Sequence, residues 1–120
     1  MENIGFGKIM PQAVDVEKIV LGMLLLDHSA YYRVSNQLNP NVFYRNENAE
    51  VFKAIAEVHE SGKNCNIVSV TNQLKQKEIL HVIGGAYYVS TLTQRVASSE
   101  IIEEMVAIIY QEYIRREAIV

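Results

Sequence analysis

Cys65, with a histidine at position 28, 59 or 81 to act as base, supplies the two groups that thiol nucleophilic catalysis requires. No flanking sequence marks an oxyanion hole or an activating helix terminus around Cys65, so its ordinary role is that of a small buried residue. His28, His59 and His81 fall on different predicted elements, without the i, i+4 spacing that aims two imidazoles at one metal. They are expected at the surface or its boundary. One cysteine cannot build a cysteine-based zinc site, and no G-x-x-x-x-G-K-[ST] loop is present to cradle a nucleoside triphosphate. The carboxylates fall mostly on exposed helix faces, where the spacing puts no two in one pocket for acid–base work. What remains is contact chemistry. Tyrosine offers a broad ring with a polar tip and arginine a planar cation, so Tyr110, Tyr113, Arg115 and Arg116 are candidates for a protein interface, as are Tyr87 and Tyr88.

A chain of 120 residues, 49% hydrophobic and 21% charged, with two prolines, has the composition of one compact domain. Folding at this size buries roughly two-thirds of the unfolded chain's surface, so neither disulfides nor a structural metal is required. The single cysteine rules out an internal disulfide and fits a reducing cytoplasm. A net charge of −3 argues against a domain that grips a phosphate backbone over its whole surface. Lys75, Lys77, Arg95, Arg115 and Arg116 keep a stand-alone helical nucleic-acid-binding module as the alternative. Ile19 to Leu26, the most apolar stretch, is far shorter than the roughly 20 residues of a membrane span. Met1-Glu2-Asn3 lacks the basic end of a signal peptide, so neither secretion nor membrane insertion is expected.

Helical periodicity organises nearly the whole chain. Residues 1–10, with Gly5 and Gly7, read as a flexible leader ended by Pro11. Val16, Ile19, Val20, Met23 and Leu24 then fall on one helix face, with Asp15 and Glu17 in its first turn, where the macrodipole favours acids. Gly22, in mid-helix, points to close approach of another backbone, with generic tolerance the other reading. Asp27 and Ser29 cap a second helix carrying Tyr31, Val34 and Leu38 until Asn39-Pro40-Asn41 stops it, and Val42-Phe43-Tyr44 forms an apolar plug. A third helix spans about Glu47 to Ser61, with Val51, Ile55 and Val58 inward, Lys53 and Glu57 paired outside, and Gly62 at C′. Ile67, Val68 and Val70 are β-branched, but no second strand-like run exists to pair with them. The segment is therefore read as a fourth helix capped by Asn66, with Ile67, Val70 and Leu74 inward. Tyr88, Val89 and Leu92 mark a fifth after Gly84-Gly85.

The last predicted helix runs from Ser98 or Ser99 to Val120, acidic at its start (Glu100, Glu103, Glu104) and basic later. Ile102, Val106, Ile109, Tyr113 and Val120 line one face, while Ile101, Met105 and Ile108 widen the apolar stripe beyond what one surface helix needs. Ile101, Met105 and Ile108 therefore join the tyrosines and arginines as interface candidates. The expected architecture is all-α: a globule of about five to six helices over residues 11–97, followed by a long helix over 98–120 that lacks a stop signal and looks cut from something longer.

In their order, these residues resemble the N-terminal domain of DnaB-type replicative DNA helicases. Pro11 to Asp27, PQAVDVEKIVLGMLLLD, is similar to the family's P-x-x-x-E-A-E-x-x-V-L-G-x-L-L-L-D, with Asp15 in place of Glu and Val16 in place of Ala. Phe43-Tyr44, Val51-Phe52 and Glu60-Ser61-Gly62 fall where the family has F-Y, I-F and a helix ending in Gly. Gly84-Gly85-Ala86-Tyr87-Tyr88-Val89 resembles G-G-x-x-Y-L, and Arg115 to Ile119 resembles R-R-x-L-I. Asn48 stands where the family often has His and Asn66 where it often has Asp; both can still cap a helix. Val96-Ala97-Ser98-Ser99-Glu100 replaces a P-S-A-A-N-like helix entry.

The resemblance implies a non-catalytic collar domain: a globule plus the first arm of a helical hairpin, packing with its copies as a dimer or hexamer and docking primase, with a helicase loader a further partner. It implies no cofactor for this fragment. ATP and Mg, and most contact with DNA, would belong to a C-terminal ATPase domain.

Overall fold

The computed structural model describes the backbone of residues 4–118 and the side chains of residues 14–118. It is all-helical over those residues: α1 (Ile4–Leu26), α2 (Ala30–Val34), a 3-10 turn (Pro40–Val42), α3 (Asn46–Glu60), α4 (Ile67–Gln76), α5 (Gly85–Thr91) and α6 (Ile102–Ala118). The expected leader differs: α1 already runs from Ile4 and carries Pro11 within it, while residues 1–3 lie outside the described residues. Proline in a helix loses one hydrogen bond and crowds a carbonyl at a cost of about 3 kcal/mol, which does not by itself end a helix anchored by later packing.

The end of α1 is the centre of the fold. Residues Val20 to Leu25 are buried on every side because α1 packs against α2, α3, α4 and α6 at once. Val16 and Ile19 are half-buried at its margin. Gly22 explains how the neighbours come so near: a Cβ there would lie 2.0 Å from the Leu92 carbonyl oxygen and 2.8 Å from Val96 Cγ2. Close approach is thus the reason for this glycine.

Local chemistry sets most boundaries. Asp27 Oδ1 accepts from the Ser29 N–H at 3.0 Å, an Asx-type turn leading into α2. This second helix is shorter than expected, ending at Val34, and Leu38 reaches the core from the turn that follows. Asn39 caps the 3-10 turn by accepting from the Asn41 N–H at 2.9 Å. At the end of α3, Gly62 adopts φ +79°, and the Lys63 and Gly62 N–H groups donate to Val58 and His59 carbonyls at 3.2 and 3.0 Å, a Schellman ending.

The β-branched segment is helical. Asn66 and Ser69 form a reciprocal capping box, each side chain taking the other's backbone N–H at 2.9 and 3.0 Å. Val70 and Leu74 are buried and Ile67 half-buried, as the 3.6-residue period requires. The Lys53–Glu57 pair does not form. Lys53 meets Glu50 at 3.5 Å, while Glu57 takes Lys77 of the following helix at 3.0 Å and Gln73 Nε2 at 3.0 Å. The last helix begins at Ile102, after a turn over residues 99–101, because Ser99 Oγ is used elsewhere: it donates to Asp27 Oδ2 at 2.6 Å.

Candidate protein-interaction surface

α6 lies on α1, the 3-10 turn and α2, and buries Ile102, Val106 and Ile109 there. Its two ends are bolted down by arginine. Arg33 of α2 donates to Glu103 Oε1 at 3.0 Å and to the Ser99 carbonyl at 2.8 Å, and this bond, with the charge itself, holds the Glu103 carboxyl below its ordinary range. At the other end Arg116 donates to the Val42 carbonyl at 3.0 Å, with its guanidinium 5.2 Å from the centre of the Tyr44 ring and 6.0 Å from that of Tyr113.

Four apolar side chains on α6 and the turn leading into it face solvent on two flanks. At about 100° per residue, Ile101 and Ile108 share one flank, and Tyr110 and Ile114 lie on the roughly opposite one. These four are between 40% and 49% exposed. Beside Tyr110, a hollow of about 430 Å³ lies between α6 and the turn after α2, lined by Ala107, Val106, Glu103, Asn36, Gln37 and Asn39. Tyr110 and Tyr113 hold their ring centres 6.2 Å apart.

The other candidates are placed differently. Met105 and Tyr113 are half-buried against the core, and Arg115 pairs with Glu112 on its own helix at 3.1 Å. Arg116 is spent on the internal contacts just described. Tyr87 is 77% exposed on α5, far more open than Tyr88. The Tyr88 hydroxyl is taken inward, donating to Asn48 Oδ1.

Tyr88 belongs to a buried polar network that sequence reasoning missed. Glu17, read as a first-turn acid, is 1% exposed. Its carboxylate accepts from the Tyr44 N–H at 2.5 Å, the Asn48 Nδ2 amide at 2.9 Å and the Arg45 N–H at 3.5 Å. Asn48 is accordingly a bridge between Glu17 and Tyr88, tying α1, α3 and α5 together, and not a cap. Burial raises the Glu17 carboxyl above its ordinary range, against the pull of these donors and of the Arg116 charge. A Glu following an apolar-helix start by two residues carries no local sign of burial; only its long-range donors show it.

His28 and His59 are half-buried and His81 is exposed, at the surface or its boundary as expected, but two of them meet across the fold. His28 and His59 come together, their rings stacked at 4.5 Å, and Tyr31 stacks on His59 at 4.0 Å. His28 Nδ1 accepts from the Cys65 N–H at 2.9 Å. Desolvation, with His28 adding to it, pushes His59 down to about 4. Cys65 itself is 3% exposed, and burial pushes its thiol up to about 12, so it is protonated and inert at neutral pH. No three His, Cys, Asp or Glu side chains converge for a metal among the described residues. No described helix is long and apolar enough to cross a membrane.

These features define an all-helical domain: a packed globule, an amphipathic last helix seated by two arginines, and apolar side chains left exposed beside that helix. The DnaB-like helicase N-terminal domain family model matches residues 9–111, and the chain belongs to that family. It is 33% identical over 115 residues to the replicative DNA helicase DnaB of Nostoc sp., covering 96% of this chain and 13% of that protein. It is also 33% identical over 119 residues to the DnaB of Geobacillus stearothermophilus, covering 99% of this chain and 26% of that protein. The crystal structure of the N-terminal domain of DnaB helicase from Mycobacterium tuberculosis superposes with a TM-score of 0.84 at 30% identity, covering 88% of this chain and 76% of that one. The chain thus spans between 13% and 26% of the length of these two helicases.

Proposed function

We propose that this domain builds the collar of a hexameric replicative helicase in the bacterial or phage replisome and docks primase on it, with α6 as the first arm of the assembling hairpin. ATP-driven unwinding, with its Mg, falls outside these residues. One observation carries the reading: α6 is filled on its inner face yet keeps Ile101, Ile108, Tyr110 and Ile114 exposed on both flanks, a wider apolar surface than one globule covers. Arg33 and Arg116 fix the direction in which that surface is presented. Three of the five basic residues that speak for nucleic acid, Lys77, Arg115 and Arg116, are held by Glu57, Glu112 and the Val42 carbonyl, which supports protein contact instead, while Lys75 and Arg95 are exposed. The test places Ile108→Glu and Tyr110→Ala with Ile114→Glu in the full-length helicase. Sedimentation should show smaller assemblies and weakened primase co-sedimentation; an intact hexamer that retains primase would refute the role of α6.

A further inference from the structure

Tyr31 of α2, His59 of α3 and His28 of the α1–α2 turn stack in series, with 4.0 and 4.5 Å between ring centres and 10° and 27° between ring planes. Tyr32 stands edge-on to both histidines, 5.3 Å from His59 and 5.8 Å from His28, and its hydroxyl lies 3.4 Å from His59 Nδ1. The helix that supplies both tyrosines depends on such contacts. At five residues α2 is too short to be stable alone, and its N-cap Ser29 makes no side-chain cap bond. Its backbone packs on α1 and α6 rather than on α3, so the ring stack is its tie to the end of α3.

Both imidazoles are built into this tie as neutral rings. His28 Nδ1 accepts from the Cys65 N–H at 2.9 Å, so its single proton sits on Nε2; a second proton would occupy Nδ1 and strand a part-buried main-chain donor. His59 Nε2 is buried and has no hydrogen-bond partner among the described residues, so a protonated His59 would hold a charged N–H with nothing to receive it. Two protonated rings 4.5 Å apart would also repel. The other titratable groups around the stack are Tyr31 and Tyr32 of α2, Cys65 of the α3–α4 loop and Glu60 of α3, whose charge reaches Tyr31. Asp27, next to His28, spends its carboxylate on Ser29 and Ser99. Among the described residues no carboxylate pairs with either imidazole. Burial accordingly pushes His59 down to about 4, with His28 adding to the effect.

We propose that the His28–His59 stack is an acid-sensitive clasp: neutral rings hold α2 and the α3–α4 loop against the end of α3, and protonation opens it, freeing α2 with its Arg33 and uncovering Cys65. The packing of α3 on α1 and α4 does not pass through these rings, so the opening is local. The test is hydrogen exchange of the native chain from about pH 7.5 to about pH 5, read as protection factors so that the intrinsic pH dependence of exchange drops out. A ring that returns from about 4 to its ordinary 6.5 on opening multiplies the open population about 30-fold over that range. The Cys65 amide and those of residues 30–34 should lose protection together by that factor, and should be less protected at every pH than the amide of Leu74, buried in α4. His28→Asn with His59→Phe keeps an acceptor and a stacking face without the titration, and should flatten the response. A pyridyl disulfide, which reacts with thiols in acid as well as at neutral pH, should label Cys65 faster as its protection falls. Protection unchanged down to pH 5, or a response that survives in the double variant, would overturn the clasp. Protection equal to that of Leu74 would also overturn it, since only global unfolding would then release the rings. A loss at Cys65 without one in residues 30–34 would sink the release of α2.

Discussion

Replacing Gly22 by alanine sets two effects of opposite sign against each other. In an unencumbered helix the change stabilises by about 1 kcal/mol, because glycine carries the larger conformational entropy cost. Here the new methyl would lie 2.0 Å from the Leu92 carbonyl oxygen and 2.8 Å from Val96 Cγ2. The valine methyl can turn away; the main-chain oxygen cannot. The end of α5 must move off α1 by about 1 Å to restore a 3.0 Å contact, loosening buried Leu92 and Val89. Overpacking of this kind costs about 1–3 kcal/mol, and a main-chain obstacle puts it near the upper end. The net loss is about 2 kcal/mol, which for a domain of this size lowers Tm by about 8 °C. Urea and thermal unfolding followed by circular dichroism measure it directly. A Gly22→Ala chain as stable as the parent, or more stable by about 1 kcal/mol, would show that the close approach of α1 to α5 does not exist.

The Glu17 network predicts that Tyr88→Phe, which strips Asn48 Oδ1 of its donor, costs about 1–2 kcal/mol in denaturant unfolding. Glu17→Gln is expected to be tolerated far better, because Asn48 can reverse its amide and Tyr88 can accept; equal losses for the two variants would refute the assigned hydrogen-bond directions. Since the Glu17 carboxyl is raised in the fold, its contribution to stability is fully present below the ordinary value of 4.5 and is lost as pH rises through the raised pKa. Glu17→Gln should remove that part of the pH dependence. For His59 the sign is opposite: held down to about 4 from 6.5, its neutral ring favours folding above 6.5, and this contribution fades as pH falls toward 4. An NMR titration of His59 with a midpoint near 6.5 would contradict the shielding by Tyr31 and His28.

Several assignments were legible because their causes are local. Gly62 and the Asn66–Ser69 box end and start helices through bonds spanning no more than five residues, so residue type and position suffice to place them. A glycine where the helical period continues left Gly22 with two readings, and the Leu92 carbonyl beside it decided for close approach. The interface candidates divided: Ile101, Ile108, Tyr110 and Tyr87 are exposed, whereas Tyr88 and Arg116 look identical in sequence to contact residues and were turned inward by Asn48 and Val42. Ile114, Leu26 and Val68, also exposed, were not among the candidates, since periodicity says which side of a helix is apolar and not whether a neighbour exists to cover it.

Periodicity and punctuation alone determined the all-α class, the approximate extent of the third and fourth helices, and a terminal helix richer in apolar residues than one face can bury, because these depend on interactions within a few turns. Tertiary structure decided the burial of Glu17 beneath Tyr44 and Asn48, the meeting of His28 with His59, the tie of Asp27 to Ser99, and the seat of Arg116. Each joins groups far apart along the chain, and a side chain's partner across such a span follows from how whole helices pack, which no local pattern of residue types encodes.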